Sequence, residues 1–408
     1  MTYNRAHRRG VRAVLVLAAL TAAALLAPTG ASALSEQADA GTWGAHGRVL
    51  AMVRLGNTMF IGGRFDRVQS PDGKTRIAAD NLAAIDLTTG QPVQGFQGGV
   101  GMSTTAKPQV DSLAVSADGT RLFVGGKFDT VDGQPQSFFT ALSPQTGAID
   151  TTFQGARFSG AVHAILVGPS RIYVGGAFKK IDGKSHPYLA ALMPGGSLDT
   201  QWVSKPDNLV RSLTPSSDWS TIFVGGLFEN VDAQSRISVA RVSAATGSLD
   251  PWTIPAGTID PPQTAWDIVV DGSVVYIGFG HGPNYMAAFR LDNGDSGDQV
   301  WRLKTQGNVE GLAMAPDHSR LFFSGHFGTG ALNQRVCNGP FLRGLASVDP
   351  ATGTIICDWI PQITPFGNNY VGVWAIDIED GALWAGGKIT TVGGVTHLGF
   401  ARFTLNAI

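Results

Sequence analysis

Cysteine is nearly absent from this chain: Cys337 and Cys357 are the two examples in 408 residues. That excludes a disulfide-built scaffold, and a chain of this length buries enough core to hold together without one. An excess of charge of one sign is missing as well, with 30 lysines and arginines against 31 acids. Nucleic acid, which demands a basic stripe, is therefore excluded as a partner. Long apolar runs are missing beyond the first thirty residues, so no membrane span is expected in the mature chain. Catalytic signatures are missing too. There is no nucleophile elbow, no zincin helix, and no complete P-loop or dinucleotide fingerprint. No two acids are singled out by spacing for sugar hydrolysis. No metal site and no cofactor are expected.

What is present begins with an export signal. Arg5, Arg8, Arg9 and Arg12 precede an apolar run from Ala13 to Ala27, and Ala31-Ser32-Ala33 offers small residues for cleavage, so residues 1–33 read as a secretory signal peptide. The Arg8-Arg9 pair is a loose match to a twin-arginine signal, and a plain signal with a basic n-region fits better. Removing residues 1–33 leaves 26 basic and 31 acidic residues, a charge of about −5. In the oxidising compartment this implies, Cys337 and Cys357 are expected to pair, closing a loop that contributes roughly 3 kcal/mol.

The remainder, residues 34–408, is one domain built on a repeat. Val124-Gly125-Gly126-Lys127-Phe128 recurs as Ile61-Gly62-Gly63-Arg64-Phe65, Val174-Gly175-Gly176-Ala177-Phe178, Val224-Gly225-Gly226-Leu227-Phe228 and Ala385-Gly386-Gly387-Lys388-Ile389. Worn copies at Ile277-Gly278-Phe279-Gly280 and Phe323-Ser324-Gly325-His326-Phe327 make seven. A repeat of roughly 40–50 residues made of strand-like segments points to a propeller. Each copy reads as four strands, with the glycine pair in the second. Uninterrupted apolar runs in the second and third, such as Thr221-Ile222-Phe223-Val224 and Leu82-Ala83-Ala84-Ile85, mark sheets covered on both faces. Glycine costs about 0.5–1 kcal/mol inside a strand, so the pair needs a steric reason, a bulge or a close approach of neighbouring backbones.

The fourth strand carries its own signature, a turn such as Thr246-Gly247 followed by Leu249-Asp250 and then an aromatic, which is Phe96, Phe153, Trp202, Trp252, Trp301 and Trp359 in the first six copies. The seventh copy ends without one. Asp39-Ala40-Gly41-Thr42-Trp43 matches Leu198-Asp199-Thr200-Gln201-Trp202, so the mature N-terminus is expected to supply the outer strand of the last blade. The fold class is thus all-β, a seven-bladed β-propeller closed by its N-terminal strand.

These motifs resemble the bacterial delta-60-type repeat, which joins a Val-Gly-Gly-x-Phe strand, a Val-x-Gly loop, a Leu-Ala-x-Leu strand and a Gly-x-Leu-Asp-x-x-Phe ending. The resemblance runs from about residue 40 to the C-terminus, best over Val124 to Phe153 and Val174 to Trp202, and is poorest at Gly280-His281-Gly282-Pro283-Asn284. It implies a secreted or surface-associated protein and transfers no catalytic residue. Ser347-Val348-Asp349-Pro350-Ala351-Thr352-Gly353 is similar to part of a quinoprotein propeller repeat. Trp359 lies too far beyond Gly353 for that pattern, and a quinone is not expected.

Variable connections, among them Phe65 to Asp80, Gln97 to Pro108, Thr253 to Gln263, Gly328 to Gly339 and Pro361 to Tyr370, open on one face of the disc, where a ligand site is expected. On that face the residue after the glycine pair is Arg64, Lys127, His326 or Lys388 in four copies that neighbour one another round a ring. They form a candidate anion-facing arc, unless loop acids such as Asp66, Asp129 and Asp132 neutralise them. His186, His281 and His397 read as satisfied loop histidines, without metal-ligand spacing. Asp132-Gly133 and Asp182-Gly183 read as turns rather than calcium loops. The favoured function is a secreted, monomeric, non-catalytic binding or scaffold module. Its partner is an extracellular glycan, an anionic envelope polymer or a protein. The alternative is a polysaccharide-active enzyme, a glycosidase or lyase, using acids or a histidine on the same face.

Overall fold

A computed structural model describes residues 35–328, 336, 337, 339, 341–365, 372–379 and 381–404. The expected signal peptide lies outside the described residues. All regular structure among them is β-strand. Each repeat forms an antiparallel sheet whose middle strand bonds an inner strand on one side and a third strand on the other. In the second repeat these are Gln109–Val115, Leu122–Lys127 and Phe139–Leu142. Leu122 to Gly126 and all of Phe139–Leu142 are buried, as strands covered on both faces must be.

The inner strands, from Gly44–Leu55 in the first repeat to Val373–Glu379 in the last, pack against one another in sequence order. The last also packs against the first. The apolar core is correspondingly divided into clusters between successive sheets. One joins the first repeat to the second around Phe60, Val110 and Val124. Another joins the last to the first, with Trp384 and Phe400 against Val49, Met59 and Ile61.

The fourth strand departs from expectation. Among the described residues it is regular only in the fifth repeat, as Gln299–Lys304 beside Tyr285–Arg290. Elsewhere a single bridge holds the segment, for example Leu142 with Ile149 and Leu192 with Leu198. In the second, third and fourth repeats the aspartate of that segment turns the chain. Asp150, Asp199 and Asp250 each accept a hydrogen bond from the amide two residues on, those of Thr152, Gln201 and Trp252. Such a turn curls the chain off the sheet. In the fifth repeat Asp298 is occupied by Asn293 Nδ2 and Ser296 Oγ, both at 2.6 Å, and the strand runs on. The aromatic after the turn packs back onto its own sheet, as Trp202 does on Tyr173 and Trp252 on Phe223.

The N-terminal segment lies along the last repeat. The amides of Ser35 and Asp39 donate to Thr404 and Arg402 carbonyls. Asp39 Oδ2 stands 3.3 Å from Arg402 Nε, the pairing that Asp250 makes with Arg241 at the equivalent register of the fourth repeat. Trp202, Trp252 and Trp301 donate their indole N–H to Ala244, Arg290 and Pro350 carbonyls of the following repeat. Trp359 donates to Ser35 O at 2.9 Å. Among the described residues no strand precedes Gly44, so the segment docks as an extended strap rather than as an outer strand.

Cys337 and Cys357 form a disulfide with Cα atoms 5.5 Å apart. It ties the long connection of the sixth repeat to the outer segment of the same repeat.

Candidate functional site

Every inner strand carries one extra residue at the same place in its ladder. The ladder to the middle strand skips between Val49 and Ala51, Val110 and Ser112, Val162 and Ala164, and Val210 and Ser212. It skips again between Ala265 and Asp267, Val309 and Gly311, and Val373 and Ala375. A β-bulge re-aims the extra side chain. The extra residues are Leu50, Asp111, His163, Arg211, Trp266, Glu310 and Trp374, and all line one cavity of about 430 Å³. That lies within the range of small-molecule sites, about 300–1,000 Å³.

The glycine pair makes this arrangement possible. A Cβ on the second glycine would run into the inner strand's backbone, Gly126 into the Gln109 carbonyl and Gly387 into that of Gly372. A Cβ on the first would meet the valine of the next repeat in the first, second, third and last repeats. Gly62 would meet Val110 Cγ1 at 2.5 Å and Gly125 would meet Val162 Cγ1 at 2.6 Å; Gly386 in the last repeat would meet Val49 of the first at 2.6 Å. One glycine admits the bulge and the other admits the neighbouring sheet.

Around the wall some charges are paired and some are not. Asp111 lies 3.0 Å from His163 Nδ1 and accepts from Gln109 Nε2 at 2.6 Å. Glu310, its side chain 2 % exposed, lies 2.7 Å from His326 Nδ1 and accepts from Asn308 Nδ2 at 3.2 Å. Two tryptophans each carry a guanidinium over the face and a histidine at the edge. Arg211 sits 4.7 Å from the Trp266 ring with His281 edge-on at 5.1 Å. Arg48 sits 5.4 Å from the Trp374 ring with His326 edge-on at 4.6 Å. Arg211 Nε is buried without a hydrogen-bond partner. Burial pulls the Arg211 pKa down, opposed only by the fields of Asp111 and Glu310.

The four residues of the expected arc stand at the rim of this cavity. Arg64 is opposite Arg48 and Lys127 opposite Gln109 in the ladder, and both opposing residues line the cavity. The amides of His326 and Lys388 bond the carbonyls of Asn308 and Gly372, the equivalent places in their repeats. Burial, and then the charge of Arg48, lowers the Lys388 pKa. The loop acids are engaged elsewhere. Asp66 contacts His46 and Arg67, Asp129 accepts from Ser103, and Asp132 accepts from the Gly98 amide. No ion pair to Arg64, Lys127 or Lys388 forms among the described residues. His397 is 2 % exposed, with the Ala38 backbone and the Asp39 carboxylate beside its ring. Burial lowers its pKa. Asp132 and Asp182 do make turns, with positive φ at both residues of each Asp-Gly pair.

Asp267 follows the bulge in the fifth repeat, where other repeats have Ala51, Ser112, Ala164, Ser212, Gly311 and Ala375. Ser112 Oγ accepts the Ile165 amide of the next repeat, and Asp267 Oδ2 does the same for Leu312 at 2.8 Å. Burial raises its pKa from 3.8 to about 7, partly offset by the Leu312 and Ile268 amides. Between pH 4 and 7 the folded state therefore holds a proton that the unfolded state has lost. Stability falls as pH rises through that window, by at most a few kcal/mol. Asp267 Oδ1 also occupies the Ile268 amide at 2.9 Å, while Ser212 Oγ beside it has no partner. Asp267→Ser is expected to raise the melting temperature at pH 8 and to shrink the difference between pH 5 and pH 8. Melting curves at the two pH values test this, and an unchanged difference refutes it.

The family model described as a β-propeller domain of unknown function, DUF5122, matches residues 170–201 and 221–251, in the third and fourth repeats. The WD40 β-propeller domain of Doa1 superposes with a TM-score of 0.55 at 11% identity, covering 92% of this chain and 96% of that one. The computationally designed Ika8 protein covers 89% of this chain and 98% of its own, with a TM-score of 0.49 and 14% identity. No curated protein matches. The chain is a β-propeller. Identity this low establishes the fold alone.

Proposed function

We propose that the chain is a secreted, delta-60-type propeller of seven blades, closed into a ring by residues 35–43, that acts as a monomeric binding module. Residues 1–33 direct its export and are removed. Its ligand is an anionic extracellular glycan or envelope polymer, docked on the rim formed by Arg64, Lys127, His326 and Lys388. The supporting observation is that Arg64, Lys127 and Lys388 flank the mouth of the cavity without acid partners among the described residues. Closure is supported by the strap's pairing with the last repeat and by Gly386 packing on Val49.

Replacing Arg64, Lys127 and Lys388 together by alanine is expected to weaken binding to an anionic envelope polymer at least about tenfold and to flatten its salt dependence. Unchanged affinity and salt dependence would remove the reading. The His163–Asp111 pair in the cavity is the observation that favours the enzymatic alternative, since a carboxylate-oriented histidine suits a general base. Chromatography of the incubated polymer separates the two, because a binding module leaves its length distribution unchanged.

A further inference from the structure

We propose that the cavity is a recognition pocket for a single carboxylate-bearing sugar residue, a uronic acid, with Arg211 as the ligand of its carboxylate. The inference rests on the binding reading above and names the chemical group that enters beneath the rim.

Arg211 is a wall guanidinium without an ion pair of its own. It is half-buried on the bulge of the fourth repeat, stacked on Trp266, with Nε unbonded and no ion pair among the described residues. A desolvated guanidinium without a counter-ion is costly, and a ligand anion relieves that cost. Its planar fork matches a carboxylate bidentately, and stacking on the indole fixes the plane of the fork. The two carboxylates of the wall have neighbours of their own. Asp111 is held by His163 and Gln109, and Glu310 by His326 and Asn308.

The same acids decide which anion fits. Carboxylates on the wall repel a dianionic phosphate but accept hydrogen bonds from sugar hydroxyls. His163 uses Nδ1 on Asp111, which leaves Nε2 as a further polar atom of the lining. Trp266 and Trp374 supply apolar ring surface for sugar C–H faces. One singly charged group carrying several hydroxyls satisfies all of these features. A phosphate satisfies only Arg211.

The test is calorimetric titration of the purified protein with a galacturonate trisaccharide, its methyl ester and inorganic phosphate, with an aspartate-rich peptide as a further arm. The trisaccharide is expected to bind. The ester and the Arg211→Gln variant are each expected to weaken binding at least about tenfold. Arg211→Lys keeps the charge but not the fork and recovers only part of the affinity. The comparison of acid with ester uses unaltered protein, so it decides even if Arg211→Gln misfolds. Equal binding of acid and ester, full affinity in Arg211→Gln, or displacement by phosphate or by the peptide overturns the assignment. If the rim triple variant loses polymer binding while acid and ester bind alike, only the pocket assignment falls. If neither saccharide nor polymer binds, both readings fall.

Discussion

Deleting residues 34–47 is expected to lower the melting temperature by roughly 10–20 °C. The segment buries Ala38 in the cluster between the sixth repeat and the last, and Trp43 in the cluster between the last and the first. Losing a buried tryptophan costs about 3–5 kcal/mol, and each buried polar group left without a partner adds about 1–3 kcal/mol. Here the orphaned groups include the Trp359 indole N–H, the Gly90 carbonyl and the Leu398 carbonyl, bonded respectively to Ser35, Trp43 and Ala45. The Asp39–Arg402 pair is about one-third exposed on both sides and contributes little by itself. Trp43→Ala alone is therefore expected to produce a substantial part of the loss, and Asp39→Ala very little. A scanning-calorimetry trace unchanged by the deletion would refute closure through this segment.

The repeat was legible because apolar strands, glycine pairs and Leu-Asp turns are written in nearly identical words. Inner, middle and third strands form where the periodicity places them, and Asp39 and Trp43 align with the last repeat as their likeness to Asp199 and Trp202 implies. The outer strand was not legible. Whether Asp150 or Asp298 spends its carboxylate on a nearby amide or on other side chains is settled by two or three atoms, and no pattern of apolar residues records it. Arg64, Lys127, His326 and Lys388 stand out in the sequence because they vary beside a glycine pair that five of the seven copies keep. The lining of the cavity was overlooked, although a signal exists: each inner strand reads Val or Ala, then a variable residue, then a small residue or Asp267, as in Val110-Asp111-Ser112 and Val210-Arg211-Ser212. As a strand, that variable position reads as ordinary alternation. Only the bulge turns it towards the cavity.

Gly126→Ala is expected to show that the bulge and the glycine are one device. The added Cβ would run into the Gln109 carbonyl and stand 2.9 Å from Val110 Cα and 3.1 Å from the Asp111 nitrogen. These are backbone atoms, so no side chain can yield, and the inner strand itself must shift. Overpacking of this kind costs about 1–3 kcal/mol or more. The shift moves Asp111, whose contacts with His163 and Gln109 are at hydrogen-bond distance. Stability and ligand affinity should therefore fall together. Gly133→Ala is the control. Gly133 has φ 75° and nothing within 4 Å of an added Cβ, so alanine meets only the left-handed backbone penalty of roughly 1–2 kcal/mol, in a turn remote from the bulge. Urea melts and saccharide titrations of both variants test the coupling. If Gly126→Ala loses stability but binds as the unaltered protein does, Asp111 and its bulge play no part in the site. If both properties fall in Gly126→Ala and affinity holds in Gly133→Ala, the glycine that builds the sheet is also the one that aims the cavity wall.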